Sequence, residues 1–168
     1  AGAKSLSKSD GLDKILKLIQ KKEIVEPIKG EIQQGDLITL YIKALLELIN
    51  VKKIKPLHIA VDAGNGIAGK IFPLVYQKLP CKLTTLYFKL DGSFPNHQAS
   101  PIESKNTCEL RKKIIKSKAD LGMAFDGDGD RVFFFDENGK AISASIIGAM
   151  ITEYILQKNN QEKILYNA

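Results

Sequence analysis

Leu121-Gly122-Met123-Ala124-Phe125-Asp126-Gly127-Asp128-Gly129-Asp130-Arg131-Val132-Phe133-Phe134-Phe135 sets three carboxylates and two glycines between two apolar runs. The runs read as strands: Val132 to Phe135 is β-branched and aromatic, and Ala119 to Phe125 is the strand that delivers the loop. In a flat strand, side chains two residues apart share a face but stand about 7 Å apart, too far to share one ion. The backbone between the strands must therefore curl. Gly127 and Gly129 allow this, since a residue without Cβ takes positive φ at little steric cost. Asp126, Asp128 and Asp130 can then converge their oxygens on a hard cation, with magnesium the first candidate. Alone at neutral pH the three charges repel, so a divalent ion or a cation such as Arg131 has to hold them together.

Two other readings compete. The D-x-D-x-D spacing with Glu137 at the twelfth position imitates a calcium EF-hand. That loop needs Gly at its sixth position, where Arg131 stands, and a helix on each side, where a strand follows. The second alternative is an acidic hairpin turn with no ligand, although a tight hairpin needs only two turn residues.

Outward from this stretch the chain alternates strands and helices. Leu57 to Val61 is a short apolar strand leading through Asp62-Ala63-Gly64-Asn65-Gly66 into a helix from about Ala68 to Lys78, a β-loop-α unit. That glycine-rich loop lacks both the dinucleotide and the P-loop spacing, so it reads as a structural turn, with Asp62 capping the helix or tying down the loop. Lys82 to Phe88 is the next strand. A long loop from Asp91 to Pro101 follows, then a helix capped by Thr107 through Leu110, Ile114 and Ile115. After the Val132–Phe135 run, Asn138-Gly139 makes a turn and Ser143 or Ser145 opens a helix carrying Ile146, Ile147, Met150, Ile151, Tyr154 and Ile155. Lys163 to Tyr166 begins another strand. Towards the start, Gly35-Asp36 opens a helix whose stripe of Leu37, Leu40, Tyr41, Ala44, Leu45 and Leu48 asks for a sheet to cover. Before it, Ser9 or Asp10 caps a peripheral helix with Leu12, Ile15, Leu16 and Ile19, ending among Lys21, Lys22 and Glu23. Pro27 breaks that helix, and Ile28 to Ile32 can extend. The pattern predicts an α/β fold, a layered α/β/α domain with a mixed, mostly parallel sheet.

Composition narrows the function. At 168 residues, 44% hydrophobic and 26% charged, the chain has the ordinary mixture of a globular domain. No apolar run approaches the roughly 18–20 residues of a membrane span and no signal peptide is visible, so the expectation is a cytoplasmic protein with no membrane partner. Cys81 and Cys108 read as reduced small hydrophobes. The net charge of +6 is almost all lysine, with Arg111 and Arg131 the only arginines, and no nucleic-acid motif is present. Nucleic acid is not an expected partner. His58 lies in a strand and reads as a packed residue, and His97, in the long loop, as a brace rather than an acid-base group.

Ala119 to Arg131, A-D-L-G-M-A-F-D-G-D-G-D-R, closely resembles the metal-binding loop of the α-D-phosphohexomutases, the phosphomannomutase and phosphoglucomutase family. The spacing of Asp36 and Tyr41 is similar to the opening of that family's second domain, and Val61-Asp62 with Gly66 follows its fold signature. Asp91-Gly92-Ser93-Phe94-Pro95-Asn96-His97, with Pro101, looks like the phosphomannomutase and phosphoglucomutase branch, and departs from the usual form at Gln98, Ala99 and Ser100. The resemblance implies Mg2+ on Asp126, Asp128 and Asp130, completed by a phosphoserine from another domain, with Arg131 beside the transferring phosphate. It implies a hexose phosphate, of mannose or glucose, as substrate, moved between O1 and O6 through a bisphosphorylated sugar. It also implies a domain order: 1–34 as the end of a preceding domain with a linker helix, 35–139 as domain two, and 140–168 as the start of domain three. The family's serine nucleophile, sugar-recognition and C-terminal phosphate loops have no counterpart here, so a fragment inactive by itself is expected. The alternatives are a phosphoglucosamine mutase and a stand-alone metal-binding or interaction module of the same fold.

Overall fold

The computed structural model describes residues 6–22 and 30–165. The chain divides into two compact units, one up to Gly35 and one from Asp36 onward. In the first, a helical turn at Lys8–Leu12 runs into helix α1, Asp13–Lys21, which ends at Lys22 in the left-handed conformation. Neither Ser9 nor Asp10 is the cap. Ser7 holds that place, and Gly11 at φ 141° interrupts the helical run, so regular helix starts only at Asp13. Leu12, Ile15, Leu16 and Ile19 are exposed. Glu23, Pro27 and Ile28 lie outside the described residues.

The second unit carries the site. Helix α2, Leu37–Glu47, starts where Asp36 accepts the Thr39 N–H at 3.0 Å, and these hydrogen bonds from Thr39 hold the Asp36 carboxyl below its usual range. Its stripe is not oriented as the sequence implied: Leu37, Leu40, Tyr41 and Leu48 are exposed, while Ile38, Ile42, Leu45 and Leu46 turn partly inward. The reason is that α2 meets helix α3, Ala68–Tyr76, rather than the sheet.

The sheet has the order β2-β1-β3-β4-β5, with β1 at His58–Asp62, β2 at Lys82–Leu86, β3 at Leu121–Phe125, β4 at Val132–Phe135 and β5 at Ala141–Ile142. β1 pairs in parallel with β2 and β3, and β3–β4 and β4–β5 are antiparallel, so the sheet is mixed as expected. Strand alternation sends Ala60, Ala124 and Phe135 to one face, where helix α4, Cys108–Ser117, supplies Leu110 and Ile114. Ile59 and Val61 point to the other face, against Tyr76 and Phe72 of α3. This is the three-layer α/β/α arrangement. Helix α5, Ala144–Lys158, follows with Ser143 as its cap, its oxygen accepting the Ile146 N–H. Ile146, Met150, Ile151, Tyr154 and Ile155 stay exposed along it.

Several strand boundaries differ from the sequence reading: β1 is shifted by one residue from the expected Leu57 to Val61, and β3 starts at Leu121 rather than Ala119. β2 stops at Leu86 because Tyr87 takes φ 55°, which no strand residue can hold. Residues 163–165 form no strand, and Tyr166 is outside the described residues. Among the described residues no helix is long and apolar enough to cross a membrane.

Candidate metal centre

Because β1, β2 and β3 are parallel, the loops after them gather at one edge of the sheet. The loop after β3, residues 126–131, closes as a hairpin connection: Phe125 pairs with Val132, and the Asp126 N–H donates to the Arg131 carbonyl at 3.3 Å. A second bond, Gly129 N–H to Asp126 O at 3.2 Å, tightens the turn. Gly129 has φ 73° and supplies the curl. Gly127 does not have positive φ, contrary to the sequence expectation. Its missing side chain makes room instead, since a Cβ on Gly127 would lie 3.2 Å from Phe94 Cζ. A Cβ on Gly66, in the loop after β1, would lie 2.5 Å from the Gly127 carbonyl oxygen, and the Ile67 N–H donates to that oxygen at 3.0 Å.

The turn brings one oxygen each of Asp126, Asp128 and Asp130 within 4.8 Å of one another. Asp126 is fully buried, whereas Asp128 and Asp130 are exposed. Arg131 secures the buried member twice: its backbone N–H donates to Asp126 Oδ1 at 3.1 Å and its Nε to Oδ2 at 2.6 Å. The same Nε stands 3.5 Å from Asp130 Oδ1. Burial pushes the Asp126 carboxyl up, but the hydrogen bonds and charge of Arg131 outweigh it and hold the group below its usual range. Asp130 moves the other way. The Asp128 charge, with burial and Asp126 adding to it, raises its carboxyl above the usual range. Arg131 is raised in turn by its bond to Asp126.

These residues fit a hard divalent ion. The donors are all carboxylate oxygens, one is fixed and dehydrated, and the outer pair carries the mutual repulsion that a cation relieves. An apolar cavity of about 440 Å³ opens beside the loop, between Tyr41, Leu45, Phe72, Phe125 and Asp128. A larger groove of about 1050 Å³ runs along α5 past Gly148, Thr152 and Leu156, away from the acidic loop.

Other polar residues fall as follows. His58 meets Thr84 Oγ1 at 2.8 Å inside the sheet. Asp62 ties down its loop by accepting the Gly64 N–H at 2.8 Å, and it also meets His97 Nε2 at 3.0 Å. Asn65 accepts from Asn96 at 2.8 Å. His97 is thus the loop brace expected from sequence; its pairing with Asp62, and that of Asn65 with Asn96, was not foreseen. The run Asn96-His97, in a loop rigidified by Pro95 and Pro101, was the available signal. Cys81 and Cys108 are free thiols.

Fold and site together define a three-layer α/β/α domain with an acidic hairpin loop at the carboxyl edge of its parallel strands. The chain belongs to the phosphoglucomutase/phosphomannomutase family: residues 39–139 match the family model described as phosphoglucomutase/phosphomannomutase, alpha/beta/alpha domain II. A phosphomannomutase of Vibrio cholerae is 33% identical over 172 residues, covering 99% of this chain and 37% of its own length. A phosphomannomutase/phosphoglucomutase of Pseudomonas aeruginosa is 33% identical over 149 residues, covering 89% of this chain and 32% of its own. The crystal structure of a phosphoglucomutase/phosphomannomutase family protein from Burkholderia thailandensis superposes with a TM-score of 0.75 at 31% identity, over 89% of this chain and 32% of that one. The chain thus spans about a third of the length of the relatives it matches.

Proposed function

We propose that this chain is the magnesium-binding portion of a hexose-phosphate mutase that interconverts hexose 1-phosphate and hexose 6-phosphate, with mannose or glucose phosphate as substrate. Residues 35–139 are the second domain, 1–34 the end of the first and 140–168 the start of the third. Asp126, Asp128 and Asp130 are the protein ligands of Mg2+. The observation that carries the reading is their convergence within 4.8 Å, with buried Asp126 clamped by Arg131.

When bound, the ion neutralises charge on the oxygens of a transferring phosphoryl group. The chain's own residues prepare that place. Arg131 keeps Asp126 ionised despite its burial, and Asp126, held at both oxygens, fixes the inner corner of the site. Asp128 and Asp130 stay open to solvent, where an ion can exchange water for carboxylate and where a phosphate from another domain has room to approach. Arg131, half exposed, is the fixed positive charge nearest to such a phosphate.

The reaction needs a serine nucleophile and sugar-binding groups from elsewhere, so this chain alone is expected to be inactive. The test is mutase turnover of the longer polypeptide with and without Asp128→Asn. A loss of kcat/KM of tenfold or more is expected. Unchanged kinetics would remove the acidic loop from catalysis, and a longer polypeptide with no mutase turnover at all would favour a stand-alone metal-binding or interaction module.

A further inference from the structure

The loops after β1 and β2 are joined side chain to side chain. Asp62 ends β1 with its side chain 2% exposed, its Oδ1 bonded to the Gly64 N–H and its Oδ2 3.0 Å from His97 Nε2. His97 Nδ1 lies 2.9 Å from the Gln98 carbonyl oxygen. A carbonyl can only accept, so Nδ1 carries a hydrogen. One more hydrogen then lies between Nε2 and the Asp62 carboxyl, whichever of the two owns it. The imidazole is thus fixed at both nitrogens. Beside it, Asn96 Nδ2 donates to Asn65 Oδ1 at 2.8 Å and Asn65 Nδ2 to the Lys89 carbonyl at 2.8 Å. The pairs 62–97 and 65–96 fasten one loop to the other at neighbouring positions.

Both loops press on Gly127, at the base of the acidic turn. From one side, Gly66 lies so close that a Cβ there would meet Gly127 backbone at 2.5–3.0 Å, and Ile67 donates to the Gly127 carbonyl. From the other, a Cβ on Gly127 would come within 3.2 Å of Phe94 Cζ and 3.6 Å of Ala99 Cβ. Phe94 reaches this place at φ 50°, a conformation that persists only where the surroundings hold it. His97 and Asn96 sit between Phe94 and Ala99 and anchor that segment.

We propose that His97 and Asp62 are positioning residues for the acidic loop: their bond closes the Phe94–Ala99 segment onto Gly127 and so sets the turn that converges Asp126, Asp128 and Asp130. The inference rests on reading those three residues as cation ligands. His97 touches none of the reacting groups and acts through the backbone of Gly127.

The experiment is a Mg2+ titration of the chain followed by the amide resonances of Gly127 and Gly129, with Mn2+ line broadening as a second readout. His97→Ala should weaken binding roughly tenfold, in the range that outer partners of metal sites contribute. His97→Gln, whose amide N–H can take the place of Nε2, should recover most of that loss. Asp62→Asn combined with His97→Ala should weaken binding no further than His97→Ala alone, since both act through one bond. Ile114→Val, in the core on the opposite face of the sheet, should lower the melting temperature and leave the affinity intact, which separates positioning from general destabilisation. Equal affinities for wild type and His97→Ala would overturn the proposal while leaving the cation site standing. A wild-type chain that binds no cation would overturn the site itself, and this proposal with it. Should His97→Ala fail to fold, Asn96→Ala loosens the same segment from its exposed side and must lower the affinity in the same direction, or the proposal fails.

Discussion

Replacing Gly66 by alanine tests how tightly the acidic loop is seated. The Gly66 φ lies outside the left-handed region, so alanine meets no backbone strain there and its effect is steric alone. The new Cβ would lie 2.5 Å from the Gly127 carbonyl oxygen and 2.9 Å from its Cα, contacts that real Cβ atoms do not make. Both obstacles are backbone, so no side chain can swing aside, and the two loops must separate by several tenths of an ångström or more. That stretches the Ile67–Gly127 hydrogen bond and moves the residue between Asp126 and Asp128. Inserting one carbon into so close a contact costs about 1–3 kcal/mol. For a chain of this size that lowers the melting temperature by about 2–12 °C. Gly92→Ala is the control, because nothing lies within 4 Å of a Cβ there, and it should stay within about 0.5 kcal/mol of wild type. Thermal melts of both variants, followed by Mg2+ titration, read the two consequences. A Gly66→Ala chain that melts like wild type and binds Mg2+ equally would refute the idea that this contact seats the loop.

Asp128→Asn should weaken Mg2+ binding by tenfold or more, yet raise the melting temperature slightly in chelator, because the Asp128 charge is the main cause of the raised Asp130 carboxyl. Asp126 has a folded pKa below its ordinary value, so its contribution to stability is complete above the usual carboxylate range and fades as pH falls through the depressed folded value. Urea midpoints in chelator between pH 2 and 7 should therefore show a shallower acid limb in Asp126→Asn than in wild type. Ile114→Ala, at a fully buried position between α4 and the sheet, should cost about 2–5 kcal/mol by denaturant unfolding and leave the cation affinity of the surviving fold unchanged.

The parts of this domain that could be read from the amino-acid order are those governed by local pattern. β1, β3 and β4 are compact apolar runs bounded by polar turns, and Asp36 stands before a helical stripe with the spacing of an N-cap. The carboxylates of Asp126, Asp128 and Asp130 were expected to gather, and they do. What pattern could not supply depends on partners distant in the chain. Tyr87 ends β2 early through a backbone conformation fixed by the Asn65 N–H and the residues around it. β5 is only two residues long and exists because β4 offers it an edge. Gly127 was assigned a conformational role that belongs to Gly129, because spacing alone does not distinguish a glycine that must turn from one that must make room. The Asp62–His97 and Asn65–Asn96 pairs join residues more than thirty positions apart, and no periodicity reports such a pairing.

The most direct measurement is calorimetric titration of Mg2+ into the wild-type chain and into Asp128→Asn at matched ionic strength, with amide shifts locating the bound ion. Single-site binding confined to residues 126–131 is expected, weakened at least tenfold in the variant. Binding absent in both, or equal in both, would contradict this and leave an acidic hairpin whose charges are held by Arg131 alone.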